Sequence, residues 1–329
     1  MAKQRIFSGT QPSGRLHIGN YVGAIRNWVG LEDDYDCVWG IVDYHAISVA
    51  YDPHEMPKRI LECAINYLAC GLDPNKAIIM LQSLVPEHVE LGWILDSVTP
   101  VSWLLRVPSF KEKRLQNPKN VNMAMLSYPV LMASDILIYK ADAVPVGEDQ
   151  LPHLELTREI ARRFNGIYGD VFPEPKEILG PVPEILGLDG TRKMSKSLDN
   201  CVYLDDEPGV IEKKLSTATT DTNRKRRTDP GNPDVCNIFT MHKAFSKKEE
   251  LERINKECRT AEIGCLDCKA IVAKNLIEAL KPIREKQREL WGNTEKVKKV
   301  LLLGSDRARV IVRQTLAEVH KKMGLDSLR

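Results

Sequence analysis

Apolar positions in the first half of the chain follow two alternating rhythms. Short, nearly continuous apolar runs at residues 5–9, 37–43, 76–82 and 143–147 have the length and branched content of buried strands. Between them, apolar residues three or four apart predict helices over residues 16–31, between Pro53 and Gly71, and over 86–105, 121–139 and 151–165. This order predicts an α/β fold, a parallel sheet with helices on both faces. Ligands of such sheets lie where loops leave the carboxyl ends of the strands.

From about Asp205 the pattern changes. Ile271, Leu276, Ile277, Leu280, Ile283 and Leu290 recur at helical spacing and strand-like runs are few, although residues 297–303 fit either state. The expected organisation is an α/β domain over residues 1–198 and an all-helical domain over 199–329. The joint is the polar, glycine-containing segment 187–197, and the last helix is free to pack back on the first domain.

Composition narrows the class. The chain has 329 residues, 43% of them apolar, which is ample for a large core and two domains. A charged fraction of 28% with a net charge of only +2 excludes a disordered polyelectrolyte. No apolar run approaches the roughly 20 residues that cross a bilayer, and the start of the chain enters a strand without a signal-peptide core. A soluble, cytoplasmic protein without a membrane partner is expected. The small net charge hides an asymmetry of −5 over residues 1–200 and +7 over 201–329. A polyanion lying against the basic end would account for it, as would an ordinary solvated helical surface.

Eight cysteines are present. Cys37, Cys63, Cys70 and Cys201 are scattered, and three of them fall in apolar patterns where Cys is a small buried side chain. Cys236, Cys258, Cys265 and Cys268 crowd into 33 residues with the spacing C-x21-C-x6-C-x2-C. In a cytosolic chain this reads as a metal or cofactor site, and zinc would accept these thiolates as an iron–sulfur cluster would.

Three segments sit where a parallel sheet places its ligand. Gly9-Thr10-Gln11-Pro12-Ser13-Gly14 leads into His17-Ile18-Gly19-Asn20, a glycine loop before a helix start that suits a phosphate. Val146-Gly147-Glu148-Asp149-Gln150 follows a strand and offers acids and an amide to ribose hydroxyls or an amino group, or caps the next helix. Lys193-Met194-Ser195-Lys196-Ser197 carries two lysines that can follow the charge of a triphosphate.

The conjunction of His-Ile-Gly-Asn with Lys-Met-Ser-Lys-Ser resembles the class I aminoacyl-tRNA synthetases. The glycine loop, Asp43-Tyr44-His45-Ala46-Ile47, Phe110-Lys111-Glu112-Lys113, the run from Tyr128 through Met132 and Asp135 to Leu137, and Gly147-Glu148-Asp149-Gln150 are similar to the bacterial tryptophanyl branch over nearly the whole chain. That resemblance implies a Rossmann-like catalytic domain followed by a helical anticodon-binding domain. It implies that Asp135 accepts the indole N–H, that Phe7, His45 and Met132 line the side-chain pocket, and that Tyr128 and Gln150 hold the α-amino group. Indole offers one donor and no acceptor, so a buried carboxylate is a fitting reader.

For Mg-ATP the resemblance assigns Gln11, Pro12, Ser13, Gly19, Asn20, Gly147, Glu148, Asp149, Ile185, Lys193, Met194, Ser195, Lys196 and Ser197. Lys113, Lys193 and Lys196 are the catalytic cations. The implied reaction is activation of L-tryptophan to its adenylate and transfer to tRNA(Trp) by a homodimer. It implies a [4Fe–4S] cluster on the four late cysteines. The basic run Arg224-Lys225-Arg226-Arg227 and the Lys/Arg-rich helices after Lys281 offer contacts to tRNA phosphates, or form an ordinary solvated face. A tyrosyl-specific enzyme, a nucleotidyltransferase with a related loop and a non-catalytic RNA-binding relative are the competing readings.

Overall fold

The computed structural model describes residues 3–116, 118, 120–180 and 185–327. Its centre is a five-stranded, wholly parallel sheet with strands β1 (Arg5–Thr10), β2 (Asp36–Ile41), β3 (Ile78–Leu81), β4 (Ala143–Val146) and β5 (Lys176–Leu179) in the order β3-β2-β1-β4-β5. Between β1 and β2 run α1 (Ile18–Asn20), one π-helical turn at Tyr21–Ile25, and α2 (Arg26–Leu31). The segment from β2 to β3 contains α3 (Asp43–Ala46) and α4 (Met56–Ala69), and β3 leads to α5 (Glu87–Asp96), α6 (Val101–Arg106), α7 (Pro108–Gln116) and α8 (Met123–Leu137). Helix α9 (Leu151–Tyr168) joins β4 to β5. The rest is helical: α10 (Pro208–Thr217), α11 (Asn237–Phe245), α12 (Lys248–Arg259), α13 (Cys265–Trp291) and α14 (Thr294–Met323).

The strands alternate their side chains between two cores, as a pleated sheet requires. Ile6, Trp39 and Ile79 face one core with Ile18, Ile25, Trp28 and Tyr67, where the indoles of Trp28 and Trp39 stack at 4.8 Å. Phe7, Val38, Ile78 and Met80 face the other, against α5, α8, α9 and the second half of α14. Helices therefore cover both faces, as the pattern predicts.

Three elements differ from the sequence reading. The exposed edge strand β5 has no apolar run to announce it. The helical stretch 86–105 is two helices, because Pro100 disfavours a helical conformation in the residue before it. The ambiguous segment 297–303 is part of α14, which returns to the sheet and covers the edge of β3. There Ser305 Oγ accepts a hydrogen bond from the Leu81 N–H at 3.2 Å, closing part of an otherwise open edge.

Strand order reverses between β1 and β4. The opening at such a reversal is where α/β sheets hold ligands, and here the loops after β1 and β4 diverge around it.

Candidate active site

Two adjoining cavities occupy this crevice and share Gly23, Ala24, Val146 and Gly147 in their walls. The deeper one, about 420 Å³, reaches from the end of β1 to the inner face of α8. Tyr128, Met132 and Asp135 stand four and three residues apart on α8, so one helical face delivers all three to it. Phe7 from β1, His45 from α3 and Gln150 after β4 complete the six residues expected for tryptophan. Gly9 makes the corner possible: a Cβ there would lie 2.7 Å from the Gly40 carbonyl oxygen.

Asp135 is 2% exposed and accepts from three side chains. Its Oδ2 accepts from His45 Nε2 at 2.7 Å, and its Oδ1 accepts from Gln82 Nε2 at 2.7 Å and His88 Nδ1 at 2.6 Å. Burial works against its charged form, but the two imidazoles outweigh burial and hold the carboxyl below its ordinary range. The floor of the apolar cavity is therefore an ionised acceptor. Tyr128 is paired through its hydroxyl with His153 Nε2 at 3.0 Å. Gln82, His88 and His153 were missed in the sequence. The available signal was two histidines and an amide set among otherwise apolar helix and strand positions.

The outer cavity, about 620 Å³, is lined by His17, Gly19, Asn20, Gly147, Glu148, Asp149, Ile185, Lys193 and Met194, among others. His17 caps α1: its Nδ1 accepts from the Asn20 N–H at 3.3 Å while Asn20 Oδ1 accepts from the His17 N–H at 3.2 Å. The nucleotide residue Asn20 is thus also a structural cap. Burial, helped by Lys196 and Lys193, pushes His17 down to about 4, so it is neutral at physiological pH and its Nε2 carries the hydrogen.

The loop cations reach across the site. Lys196 Nζ donates to the carbonyl and the hydroxyl of Ser13, both at 3.0 Å, and burial lowers its pKa. Lys193 Nζ lies 3.3 Å from Asp149 Oδ2; burial opposes ionisation of that carboxyl, but Lys193 and Gln150 more than offset it. Ser195 is half-buried and its N–H donates to Asn200 Oδ1 at 2.8 Å, which holds the loop in place. Gln11 lines the inner cavity rather than the outer one, and Pro12 is buried. Lys113 belongs to α7, but its side chain, like that of Ser197, lies outside the described residues.

The late cysteines come from three elements of one corner. Cys236 precedes α11, Cys258 lies near the end of α12, and Cys265 and Cys268 begin α13. Burial first, and then the other three thiols, push Cys268 up to about 12. The donor chemistry suits a soft metal, but among the described residues no three His, Cys, Asp or Glu side chains converge as a metal site would require. The metal assignment is therefore not met by the packing of this corner, where the thiol of Cys268 lies 3.4 Å from His242 Nε2 and that of Cys265 lies 3.7 Å from Arg224 Nη1.

The basic run is also redirected. Arg224 donates to the carbonyls of Arg227 and Ile263, and Arg227 to those of Ala261 and Glu262, so both guanidinium groups tie the cysteine loop together. Among the described residues, no helix is long and apolar enough to cross a membrane.

Comparison with known proteins agrees with this geometry. The family model "tRNA synthetases class I (W and Y)" matches residues 1–281. The tryptophan–tRNA ligase of Deinococcus radiodurans is 46% identical over 97% of this chain and 98% of its own length. That of Thermotoga maritima is 45% identical over 98% and 99%. The crystal structure of tryptophanyl-tRNA synthetase from Campylobacter jejuni complexed with ADP and tryptophan superposes with a TM-score of 0.86 at 34% identity, covering 98% of this chain and 100% of that one. With a parallel sheet opened at its switch point, both signature segments facing that opening and matches along nearly its full length, this chain belongs to the class I tRNA synthetases of the tryptophan and tyrosine group.

Proposed function

We propose that the chain is a tryptophan–tRNA ligase, which activates L-tryptophan with Mg-ATP and transfers it to tRNA(Trp). The observation that carries the reading is the pair of adjoining cavities, one floored by an ionised, buried carboxylate and the other lined by Lys193, with Lys196 of the same loop docked on Ser13. An indole in the inner cavity gives its single N–H to Asp135 and packs on Phe7 and Met132. Tyr128 and Gln150 take the α-amino group near the mouth. ATP in the outer cavity lies along His17, Gly19 and Asn20, with Gly147, Glu148, Asp149 and Ile185 on the nucleoside side.

A carboxylate oxygen of tryptophan attacks the α-phosphorus in line, the bond to the bridging oxygen breaks, and pyrophosphate leaves. No side chain forms a covalent bond. Lys193 and Lys196, with Lys113 of α7, stabilise charge moving onto the leaving phosphates, and the cavities hold the reactants in register. The terminal ribose hydroxyl of tRNA then attacks the acyl carbon and AMP departs. Magnesium enters with the nucleotide as part of the substrate.

Two further assignments accompany this reading. The four cysteines are the candidate seat of a [4Fe–4S] cluster, with zinc as the other occupant; their shared corner and all-thiol donor set support it, and the thiols must close around the group to bind it. Anaerobic purification with visible absorbance and metal analysis tests this. The homodimer expected of this family would find an apolar contact face in the open groove that includes Ile47, Val89 and Trp93, the last 78% exposed. The decisive assay for the whole reading is ATP–pyrophosphate exchange with each of the twenty amino acids: tryptophan alone should support rapid exchange, and exchange supported by tyrosine instead would refute it.

A further inference from the structure

Behind the inner cavity the hydrogen bonding continues for two more residues. His88, at the start of α5, is completely buried, does not line the cavity, and lies between Asp135 and Tyr139. Its Nδ1 faces a carboxylate oxygen at 2.6 Å and therefore carries a hydrogen. In the neutral ring its Nε2, 2.9 Å from the hydroxyl of Tyr139, is then an acceptor, and the hydroxyl donates. The other tautomer would set a nitrogen lone pair against an anion in a dry interior. Tyr139 is also completely buried, and its ring stacks on Phe7 at 5.3 Å and 11°.

Each oxygen of a carboxylate has two acceptor positions. Oδ1 has both filled, by Gln82 and His88, and Gln82 is itself fixed because its Oε1 accepts from the Tyr44 N–H at 3.0 Å. Oδ2 receives one donor among the described residues, His45, which lines the cavity. The donors behind the carboxylate thus anchor one oxygen and turn the remaining acceptor position of the other toward the ligand. The carbonyl of His88 accepts from Ser134 Oγ at 2.6 Å, which ties the start of α5 to α8 one residue before Asp135.

We propose that His88, held in one tautomer by Tyr139, is a specificity-determining positioning residue that keeps the Asp135 carboxylate aimed at the substrate's indole N–H. It acts through Asp135 and touches no substrate. This rests on the reading of the inner cavity as the tryptophan subsite. Without the Nδ1 donor, Oδ1 loses an anchor, the carboxylate gains rotational freedom, and a ring bearing N–H loses its advantage over one without it.

The test is ATP–pyrophosphate exchange with tryptophan and with 3-(benzothiophen-3-yl)alanine, in which sulfur replaces the indole N–H. In His88→Leu the preference for tryptophan in kcat/KM should fall by about 10-fold to 100-fold, the effect of losing a charge-assisted hydrogen bond. The loss should appear as a higher KM for tryptophan, with kcat and the KM for the analogue within about 3-fold of the parent. His88→Asn, whose amide nitrogen can replace Nδ1 as donor, should recover most of the preference. Tyr139→Phe keeps the ring and carries the test if His88→Leu does not fold; it should lower the preference in the same direction.

An unchanged preference in these variants, or an equal loss for both amino acids, overturns the proposal. Asp135→Asn separates this from failure of the underlying reading. If Asp135→Asn discriminates as well as the parent, the indole subsite itself is wrong. If it loses discrimination while His88→Leu and Tyr139→Phe keep it, only the positioning role falls.

Discussion

Asp135 illustrates how a single side chain acquires its chemistry from neighbours that are distant in the chain. Gln82, His88 and His45 arrive from separate elements; burial would suppress ionisation, but the two histidines favour it, and Gln82 anchors one oxygen. Lys196 shows the same dependence, since its ammonium group is docked on Ser13 across the crevice. Replacing Lys196 with Ala should lower single-turnover adenylate formation by about 10²–10³ while tryptophan affinity, measured by fluorescence quenching, changes little. His17 has a signature in pH. Its pKa of about 4, against about 6.5 when unfolded, means that the unfolded chain takes up a proton over that interval and the fold does not. The stability due to neutral His17 is therefore complete above pH 6.5 and lost as pH falls toward 4, by about 3 kcal/mol. Asp96, raised to about 6 by burial, acts in the opposite direction, so the comparison must be with a variant. His17→Asn keeps a capping side chain without titrating, and urea unfolding should show its stability falling less than the parent's between pH 6.5 and 4.

At the scale of elements, the site depends on where helices may approach the sheet. Gly304 of α14 lies so close to β3 that a Cβ there would be 1.9 Å from the Ile79 carbonyl oxygen. Gly304→Ala should force α14 away from the sheet, at a cost of about 1–3 kcal/mol and several degrees in Tm. Gly166, inside α9 with nothing within 4 Å of an added Cβ, is the control, and Gly166→Ala should stabilise by about 0.5–1 kcal/mol. Differential scanning calorimetry of the pair distinguishes close approach from helix propensity. The repeats that announce α4 and α9 were legible because each buries one apolar face, and α8 because it is apolar over most of its surface and buried continuously from Ala133 to Leu137. Strand β5 was not, since its residues are mostly exposed and its place is set by pairing with β4. The π-helical turn at Tyr21–Ile25 was equally hidden, because apolar spacing cannot distinguish it from α-helix.

For the whole molecule, the charge asymmetry and the exposed apolar groove point outward, to partners. Trp93 sits on α5 beside the groove, and burying it against a second copy removes a large aromatic surface from water. Trp93→Asp should convert the dimer to monomer in sedimentation velocity without abolishing the fold. With residues 201–329 carrying a net +7, transfer to tRNA should weaken steeply with added salt while pyrophosphate exchange changes less. Comparing the two assays from 50 to 200 mM salt checks this. Arg224 and Arg227 are not the source of that dependence, because they are engaged with backbone carbonyls; exposed Lys225 and Arg226 remain available from the same run.

The sequence by itself determined the α/β order, the helical second half and the two signature segments, while the six residues that meet in the inner cavity came from the family resemblance those segments carry. It could do so because periodicity reports which face is buried, and because a short motif carries its own local geometry of strand, turn and helix start. Only the tertiary structure decided what surrounds Asp135, which oxygen faces the ligand, and that α14 seals the edge of β3. It also decided that two arginines of the basic run serve a loop and that the four thiols share a corner without converging. These depend on contacts between residues tens to hundreds of positions apart, and no local pattern encodes such distances.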